Sequence, residues 1–252
     1  MRETQAYIER IKRINRDRQR LELAVDQSLS SILPGQALLV RRIEKDYEAE
    51  RWDPYLRALW FPVEAHASNI LTIELPANEQ FVPGQLLSVI GPVGQPFRFR
   101  QKLRNILLIA YHSPPIPLLL MLRSLLERQA SVTMVLMGSA RQYETDHLPV
   151  EVEIIIAEDN LTWSDMVMTL GWADQVFAVA GPGDELKYFA DIMRLMRERR
   201  NDVPVNYAFG VLQRPLPCGV GACHACMLNL SGSKRLQCVD GPAFDLTTLR
   251  LN

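Results

Sequence analysis

The four cysteines of the sequence lie close together near its C-terminal end. Cys218, Cys223 and Cys226 follow the spacing C-x₄-C-x₂-C, and Cys238 comes after eleven further residues. This spacing is typical of plant-type iron–sulfur loops, in which a tight turn supplies three thiolates and a later residue supplies the fourth. These residues therefore predict a [2Fe–2S] cluster and one-electron transfer.

The residues between the cysteines suit a negatively charged cluster. Backbone N–H groups must point toward the sulfur atoms, and Gly219 and Gly221 allow this because glycine reaches positive φ angles at little cost. His224 lies between two of the cysteines and would replace a ligand in a Rieske-type centre. Because four cysteines already complete the ligand set, we interpret His224 as a neighbour of the cluster.

Two other chemistries use clustered cysteines. Structural zinc also accepts four thiolates, although zinc ribbons usually pair two short knuckles, whereas Cys238 stands alone after a predicted hairpin with its turn at 231–233. Catalytic thiol chemistry requires an activating base beside one cysteine, and a group of four suits coordination better. Iron–sulfur binding is the favoured interpretation, with zinc as the alternative.

The first hundred residues show the pattern of a small antiparallel β-barrel. Short apolar or alternating runs are separated by Pro-Gly turn signals at 34–35 and 83–84. Residues 5–25 fit a charged helix or two strands, and the alternation in RLELAV favours strands. The predicted barrel strands are 36–42, 69–75 and 85–91.

From about residue 103 the pattern changes to apolar runs that alternate with helical segments. Nearly continuous Val, Ile and Leu runs such as NILLIA and QVFAVAG are typical of parallel strands buried on both faces. The sequence therefore predicts a barrel in residues 1–102, a Rossmann-like α/β domain in 103–210 and a cluster-binding subdomain in 211–252.

Composition excludes several classes of protein. With 28 basic and 29 acidic residues, the formal net charge is −1, so no global field favours nucleic acid or an anionic membrane. The apolar stretch 106–126 is interrupted by three prolines and divides into a strand and a helix start rather than a membrane span. The charged N-terminus lacks the pattern of a secretory signal, so we expect a cytoplasmic protein with a protein or small-molecule partner.

The order of barrel, α/β domain and CGVGAC tail resembles the electron-transfer subunits of two-subunit dihydroorotate dehydrogenases, in the ferredoxin–NADP reductase-like superfamily. The most specific part is CGVGACHACM followed by QCVDGPAFD, and PGQALLVR, LSVIGPVGQPF and AVAGPGDEL are weaker landmarks. The resemblance implies FAD in the barrel, the cluster near the flavin, and transfer of electrons between a nicotinamide and a catalytic flavoprotein partner.

The flavin motif departs from the family pattern. Where the family has Arg-Pro-x-Ser, this sequence has Arg57 followed by Ala58 and Trp60 at the Pro and Ser positions. Arg57 remains able to meet a pyrophosphate, but the hydroxyl of the motif is missing. Tyr55 and Trp60 are candidates for stacking on the flavin, and barrel-core packing is the alternative for each.

The turn that would bind the nucleotide differs even more from the family pattern. After the first predicted α/β strand the family has a glycine-rich turn, and here residues 110–115 read Ala-Tyr-His-Ser-Pro-Pro. Bulky side chains and prolines obstruct such a turn and remove N–H donors, which argues against direct NAD(P)H binding. Gly181 and Pro182 match the family pattern at the end of a later strand, where relatives line the nicotinamide site. The same residue types also form ordinary connections between a strand and a helix.

These residues predict an electron-transfer subunit of an oxidoreductase complex, with no general acid, base or nucleophile of its own. Electrons would pass one at a time through the cluster, with or without FAD in this chain, to or from a catalytic partner. The alternative is a non-catalytic assembly or regulatory module that keeps the reductase scaffold and a structural zinc site.

Overall fold

The computed structural model describes residues 2–43, 56–66, 68–158, 161–200 and 202–251. Its N-terminal part is a seven-stranded antiparallel sheet with the strand order β4-β3-β7-β1-β2-β6-β5. The strands are β1 (Arg2–Arg13), β2 (Arg18–Ala24), β3 (Ala37–Arg42), β4 (Ala58–Trp60), β5 (Pro62–His66), β6 (Ile70–Pro76) and β7 (Leu86–Val93). The preference for strands over a helix in residues 5–25 is confirmed.

The continuity of β4 and β5 curls this sheet into a barrel. The two strands occupy opposite edges of the sheet, yet only Phe61 separates them along the chain. This one segment pairs with β3 through its first half and with β6 through its second half. Alternating residues such as Leu21 and Leu23 point into the barrel and are fully buried.

The second part is a largely parallel sheet covered by helices, as the apolar runs predicted. Its elements are β8 (Asn105–Tyr111), α1 (Ile116–Glu127), β9 (Ser131–Met137), β10 (Val152–Ile156), α2 (Met166–Trp172), β11 (Gln175–Ala180), α3 (Glu185–Arg199) and β12 (Ala208–Val211). Every residue of β11 is buried, as expected of a central parallel strand. No helix in the described ranges is long and apolar enough to cross a membrane.

The C-terminal part carries the cysteines between two strands of the six-stranded α/β sheet. A hairpin of β13 (Met227–Leu230) and β14 (Ser233–Leu236) leads to the short helix α4 (Gln237–Asp240) and then to β15 (Ala243–Asp245). β15 pairs antiparallel with β12, so the chain returns to the α/β sheet after it has formed the cluster loop. The hairpin turn predicted at 231–233 is confirmed.

A buried carboxylate joins the barrel to the α/β part. Glu74 on β6 has a fully buried side chain and pairs with Arg18 and Arg20 of β2, each at 3.3 Å. From the α/β part, the Tyr143 hydroxyl donates to Glu74 Oε1 at 2.9 Å, and His147 Nε2 lies 3.5 Å from Oε2. These contacts link strands β2 and β6 of the barrel to the segment that follows β9 in the α/β part.

Candidate iron–sulfur site

The four cysteines come together as two pairs. Cys226 and Cys238 are buried, and their sulfur atoms lie 3.4 Å apart. Cys218 is half-buried and accepts a hydrogen bond from the exposed Cys223 thiol. A binuclear cluster takes two protein ligands on each iron, which is the arrangement that these two pairs provide.

Backbone N–H groups of the loop converge on the sulfur atoms. Burial acts to raise the pKa of the Cys218 thiol, but N–H donors of Cys223, Val220 and Ala222 outweigh it and lower the pKa to about 6. Cys238 differs, since burial and the neighbouring Cys226 thiol raise its pKa to about 12. The loop N–H groups therefore stabilise negative charge on the Cys218 sulfur.

Within the described residues, no group of three or more His, Cys, Asp or Glu side chains is arranged to hold one metal ion. A binuclear cluster binds two thiolates on each iron, and tetrahedral zinc binds four donors around one centre. His224 has an exposed side chain and a φ of 59°, and it takes no part in either pair.

Gly219 and Gly221 have the positive φ angles that the sequence predicted, at 70° and 78°. Both also make close approaches that a side chain would prevent. A Cβ on Gly219 would lie 2.5 Å from Leu39 Cδ1 of the barrel, and one on Gly221 would lie 2.8 Å from Val239 Cγ2. The loop therefore packs directly on β3 of the barrel.

Replacement of Gly219 by alanine is expected to destabilise the protein by about 1–3 kcal/mol, because it combines left-handed strain with overpacking against Leu39. Gly232 is the matched control, since its φ of 82° is similar and no atom lies within 4 Å of its Cβ position. We expect Gly219→Ala to lower the thermal midpoint and the iron content well below those of Gly232→Ala. Equal behaviour of the two variants would show that the contact with Leu39 does not position the loop.

A group of apolar side chains, called here the apolar seam, packs the buried thiol pair Cys226 and Cys238 against the barrel. Cys226 and Cys238 pack with Leu39, Val93 and Leu216 in one buried cluster. The backbone following β7 adds polar contacts to the segment that carries Cys238. Gly94 N–H donates to the Cys238 carbonyl at 3.2 Å, Gln95 N–H to the Gly241 carbonyl at 2.5 Å, and Gln95 Nε2 to the Val239 carbonyl at 2.9 Å.

Arg57 lies just before β4, and its guanidinium reaches across the sheet to β7 and β1. It donates to the Ser88 hydroxyl at 2.8 Å, to the Ser88 carbonyl at 3.0 Å and to Glu3 Oε1 at 2.7 Å. The Ser88 hydroxyl also donates to Glu3, and this bond together with Arg57 keeps the pKa of Glu3 below its ordinary value. Arg57 thus already binds a carboxylate, the same kind of oxygen anion that a flavin pyrophosphate presents.

Ser88 is a candidate residue that the sequence interpretation missed. Its hydroxyl lies beside Arg57, at 2.8 Å from the guanidinium. The signal was a single polar residue in the apolar run LLSVIG, and the side chain of Ser88 is buried, at 5% exposure.

Trp60, one of the two candidates for stacking on the flavin, lies in the barrel core. Its ring is edge-on to that of Phe81 with centroids 5.8 Å apart, which supports core packing for Trp60. The other stacking candidate, Tyr55, lies outside the described residues.

Gly181 and Pro182 follow β11 at the carboxyl edge of the parallel sheet. Gly181 N–H donates to the Tyr111 carbonyl at 2.9 Å, which ties this turn to the end of β8. Pro182 and Gly183 are exposed. The turn lies where open α/β sheets bind their ligands, next to the side chains of residues 111 and 112.

Comparison with known proteins agrees with this architecture. Residues 214–250 match the family model of the iron–sulfur cluster binding domain of dihydroorotate dehydrogenase B. The chain is 25% identical to the electron transfer subunit of dihydroorotate dehydrogenase B (NAD(+)) from Desulforamulus reducens, with 84% of each chain covered. It is 31% identical to the corresponding subunit from Shouchella clausii, with 64% of each chain covered.

Solved structures share the fold at low sequence identity. An NADH-dependent reduced ferredoxin–NADP oxidoreductase structure superposes with a TM-score of 0.71 and 18% identity, covering 97% of this chain and 89% of the other. The ferredoxin reductase of carbazole 1,9a-dioxygenase gives a TM-score of 0.57 and 14% identity over 82% of this chain and 68% of the other. The ferredoxin reductase-like fold expected from the sequence is confirmed.

Proposed function

We propose that this chain, a relative of the electron transfer subunits of dihydroorotate dehydrogenase B, is the electron-transfer subunit of an oxidoreductase complex. It relays electrons one at a time through a [2Fe–2S] cluster to or from a catalytic partner subunit. The observation that carries this proposal is the arrangement of the loop thiols as two adjacent pairs in a nest of backbone N–H donors.

The cluster ligands in this proposal are Cys218 and Cys223 on one iron and Cys226 and Cys238 on the other. When bound, the cluster supplies one-electron transfer without proton or group transfer. The protein contributes the rest. The loop N–H groups offset negative charge on the Cys218 sulfur, and the apolar residues packed around Cys226 and Cys238 exclude water from that pair.

FAD is the second cofactor of this fold family, and Arg57 with Ser88 is the site that we assign to one of its phosphate groups. FAD supplies the exchange between electron pairs and single electrons. The contact with Glu3 supports this assignment, since Arg57 and Ser88 both donate hydrogen bonds to the same carboxylate oxygen. Flavin binding at this place requires Glu3 to release Arg57.

The partner that fits best is a catalytic flavoprotein of the dihydroorotate dehydrogenase type, because the curated relatives are electron transfer subunits of such enzymes. In this proposal the complex is cytoplasmic. The chain itself needs no acid, base or nucleophile for this role.

The proposal is tested by anaerobic mixing of the cluster-loaded chain with the dihydroorotate dehydrogenase catalytic subunit of the same organism. On addition of dihydroorotate, we expect the visible bands of the cluster to bleach only when both proteins are present. If the catalytic subunit oxidises dihydroorotate with an artificial acceptor but leaves an equimolar amount of this chain oxidised, the assignment of that partner is wrong.

A further inference from the structure

The crevice at the carboxyl ends of β8, β9 and β11 is where an α/β sheet of this kind binds a dinucleotide. Here the end of β8 places the ring of His112 in it. His112 has a φ of 56°, in the left-handed region, which turns its side chain toward the neighbouring strand ends. The Ser139 N–H donates to His112 Nδ1 at 3.2 Å and holds the ring in that orientation.

Two tyrosines pack on this ring. The ring centroid of His112 lies 4.5 Å from that of Tyr111 and 5.0 Å from that of Tyr188 on α3. The two tyrosine rings are themselves 4.9 Å apart and meet edge to face. Contacts at these distances are favourable for aromatic groups, so the three rings form a packed plug rather than loose surface side chains. The plug is defined as Tyr111, His112 and Tyr188.

The glycines around the crevice make room for the plug. A Cβ on Gly138, at the end of β9, would lie 2.5 to 2.7 Å from three atoms of the His112 ring. A Cβ on Gly181 would lie 2.9 Å from the His112 carbonyl oxygen. In dinucleotide-binding folds such glycines admit the cofactor, whereas in this chain the same space holds its own histidine.

A buried carboxylate, that of Glu185, also disfavours dinucleotide binding in the crevice. Glu185 begins α3 and is 1% exposed, and its carboxylate accepts from the Gln213 N–H at 2.7 Å and from Arg214 Nε at 2.9 Å. A helix N-terminus favours one anion, and here the chain supplies that anion itself. Burial raises the pKa of Glu185 against the contacts from Gln213 and Arg214. A pyrophosphate entering beside it would meet a negative charge when Glu185 is ionised.

We propose that this crevice is closed to dinucleotides by the plug, and that the chain exchanges electrons with a protein-bound carrier instead of with NAD(P)H. This inference rests on the proposed function and names the partner at the other end of the relay. One electron passes between the reduced carrier and the oxidised cluster, so no bond breaks and no hydride or proton moves. Such an exchange needs a docked protein but no nicotinamide pocket.

The first test compares electron donors on one anaerobic sample whose iron, sulfide and flavin contents have been measured. We expect NADH and NADPH at 1 mM, roughly the upper end of ordinary enzyme KM values, to leave the visible spectrum unchanged for minutes. A reduced flavodoxin, a protein-bound one-electron carrier whose visible bands differ from those of an iron–sulfur cluster, is the probe and should bleach the cluster. Rapid bleaching by NADH, or none by the flavodoxin, would overturn this inference while leaving the relay intact. A sample without cluster would instead contradict the proposed function.

The second test opens the crevice. His112→Gly suits the positive φ of that position, and combined with Tyr188→Ala it removes two rings of the plug. We expect this double variant to bind NADH at least about tenfold more tightly than the unaltered chain, which corresponds to about 1.4 kcal/mol. Tyr188→Phe is the control, since it keeps the ring and should bind no better. If the double variant keeps its cluster and still gains no affinity, the plug is not what closes the crevice.

Discussion

Replacement of Cys226 by alanine is expected to abolish the cluster. Its sulfur lies 3.4 Å from that of Cys238 in a buried seam, so its loss leaves one iron with a single thiolate in an apolar environment. Changes in residues around metal ligands alone cost 10 to 100-fold in affinity, and loss of a ligand should cost more than about 100-fold. Iron and acid-labile sulfide per chain, with the visible spectrum, measure this effect.

His224→Ala is the matched control for Cys226→Ala. His224 lies two residues away in the same loop, is exposed and takes no part in a thiol pair. We expect the His224 variant to keep the full iron and sulfide content. If His224→Ala loses the cluster and Cys226→Ala retains it, a ligand set that includes histidine replaces the four-cysteine assignment.

Replacement of Glu74 by alanine is expected to produce the largest loss of stability. The substitution leaves Arg18 and Arg20 without their buried counter-charge, and removal of one partner from a buried ion pair typically costs 3–5 kcal/mol. Because the two arginine side chains are 13% and 16% exposed, some solvent screening remains and we expect about 3 kcal/mol. Denaturant unfolding of the cluster-loaded protein measures the effect.

Tyr143→Phe is the control for the Glu74 variant. It removes the hydrogen bond to Glu74 and the 3.0 Å contact of the same hydroxyl with His147 Nε2, but leaves both arginines paired with Glu74, and we expect a loss of about 1 kcal/mol. A Glu74→Ala variant as stable as the unaltered chain would show that this network does not join the two parts of the molecule.

The contribution of Glu74 depends on pH with a definite sign. Burial acts to raise its pKa, but contacts from His147, Tyr143 and Arg18 outweigh it and keep the pKa below the ordinary value of 4.5. A depressed pKa in the folded state means that the stabilisation is present above pH 4.5 and is lost as the pH falls through the lower value. The stability difference between the unaltered chain and Glu74→Ala should therefore shrink in acid.

The sequence predicted the elements whose patterns are local. Alternation in RLELAV identified strands, continuous apolar runs identified the parallel sheet, and cysteine spacing identified the cluster loop. Turn chemistry at the Pro-Gly pairs and at the hairpin was also correct. Each of these patterns lies within a few neighbouring residues, because strand alternation and turn formation depend on interactions between residues close in sequence.

Contacts between distant residues were not predictable in this way. Glu74 and Tyr143 are separated by 69 residues, and Ser88 and Glu3 by 85, so nothing in either local pattern points to the other member. The return of β15 to pair with β12 was missed for the same reason. The packing of His112 was not predictable either, because it depends on the positive φ that turns its ring toward Tyr188.

The most direct test of electron relay through a [2Fe–2S] cluster is the visible absorption spectrum of the anaerobically purified protein before and after dithionite, with metal and sulfide assays on the same sample. We expect broad bands that bleach on reduction, with about two irons and about two sulfides per chain. A flavin band superimposed on them would establish FAD as well. A colourless protein that contains zinc would contradict the relay and favour a structural metal module instead.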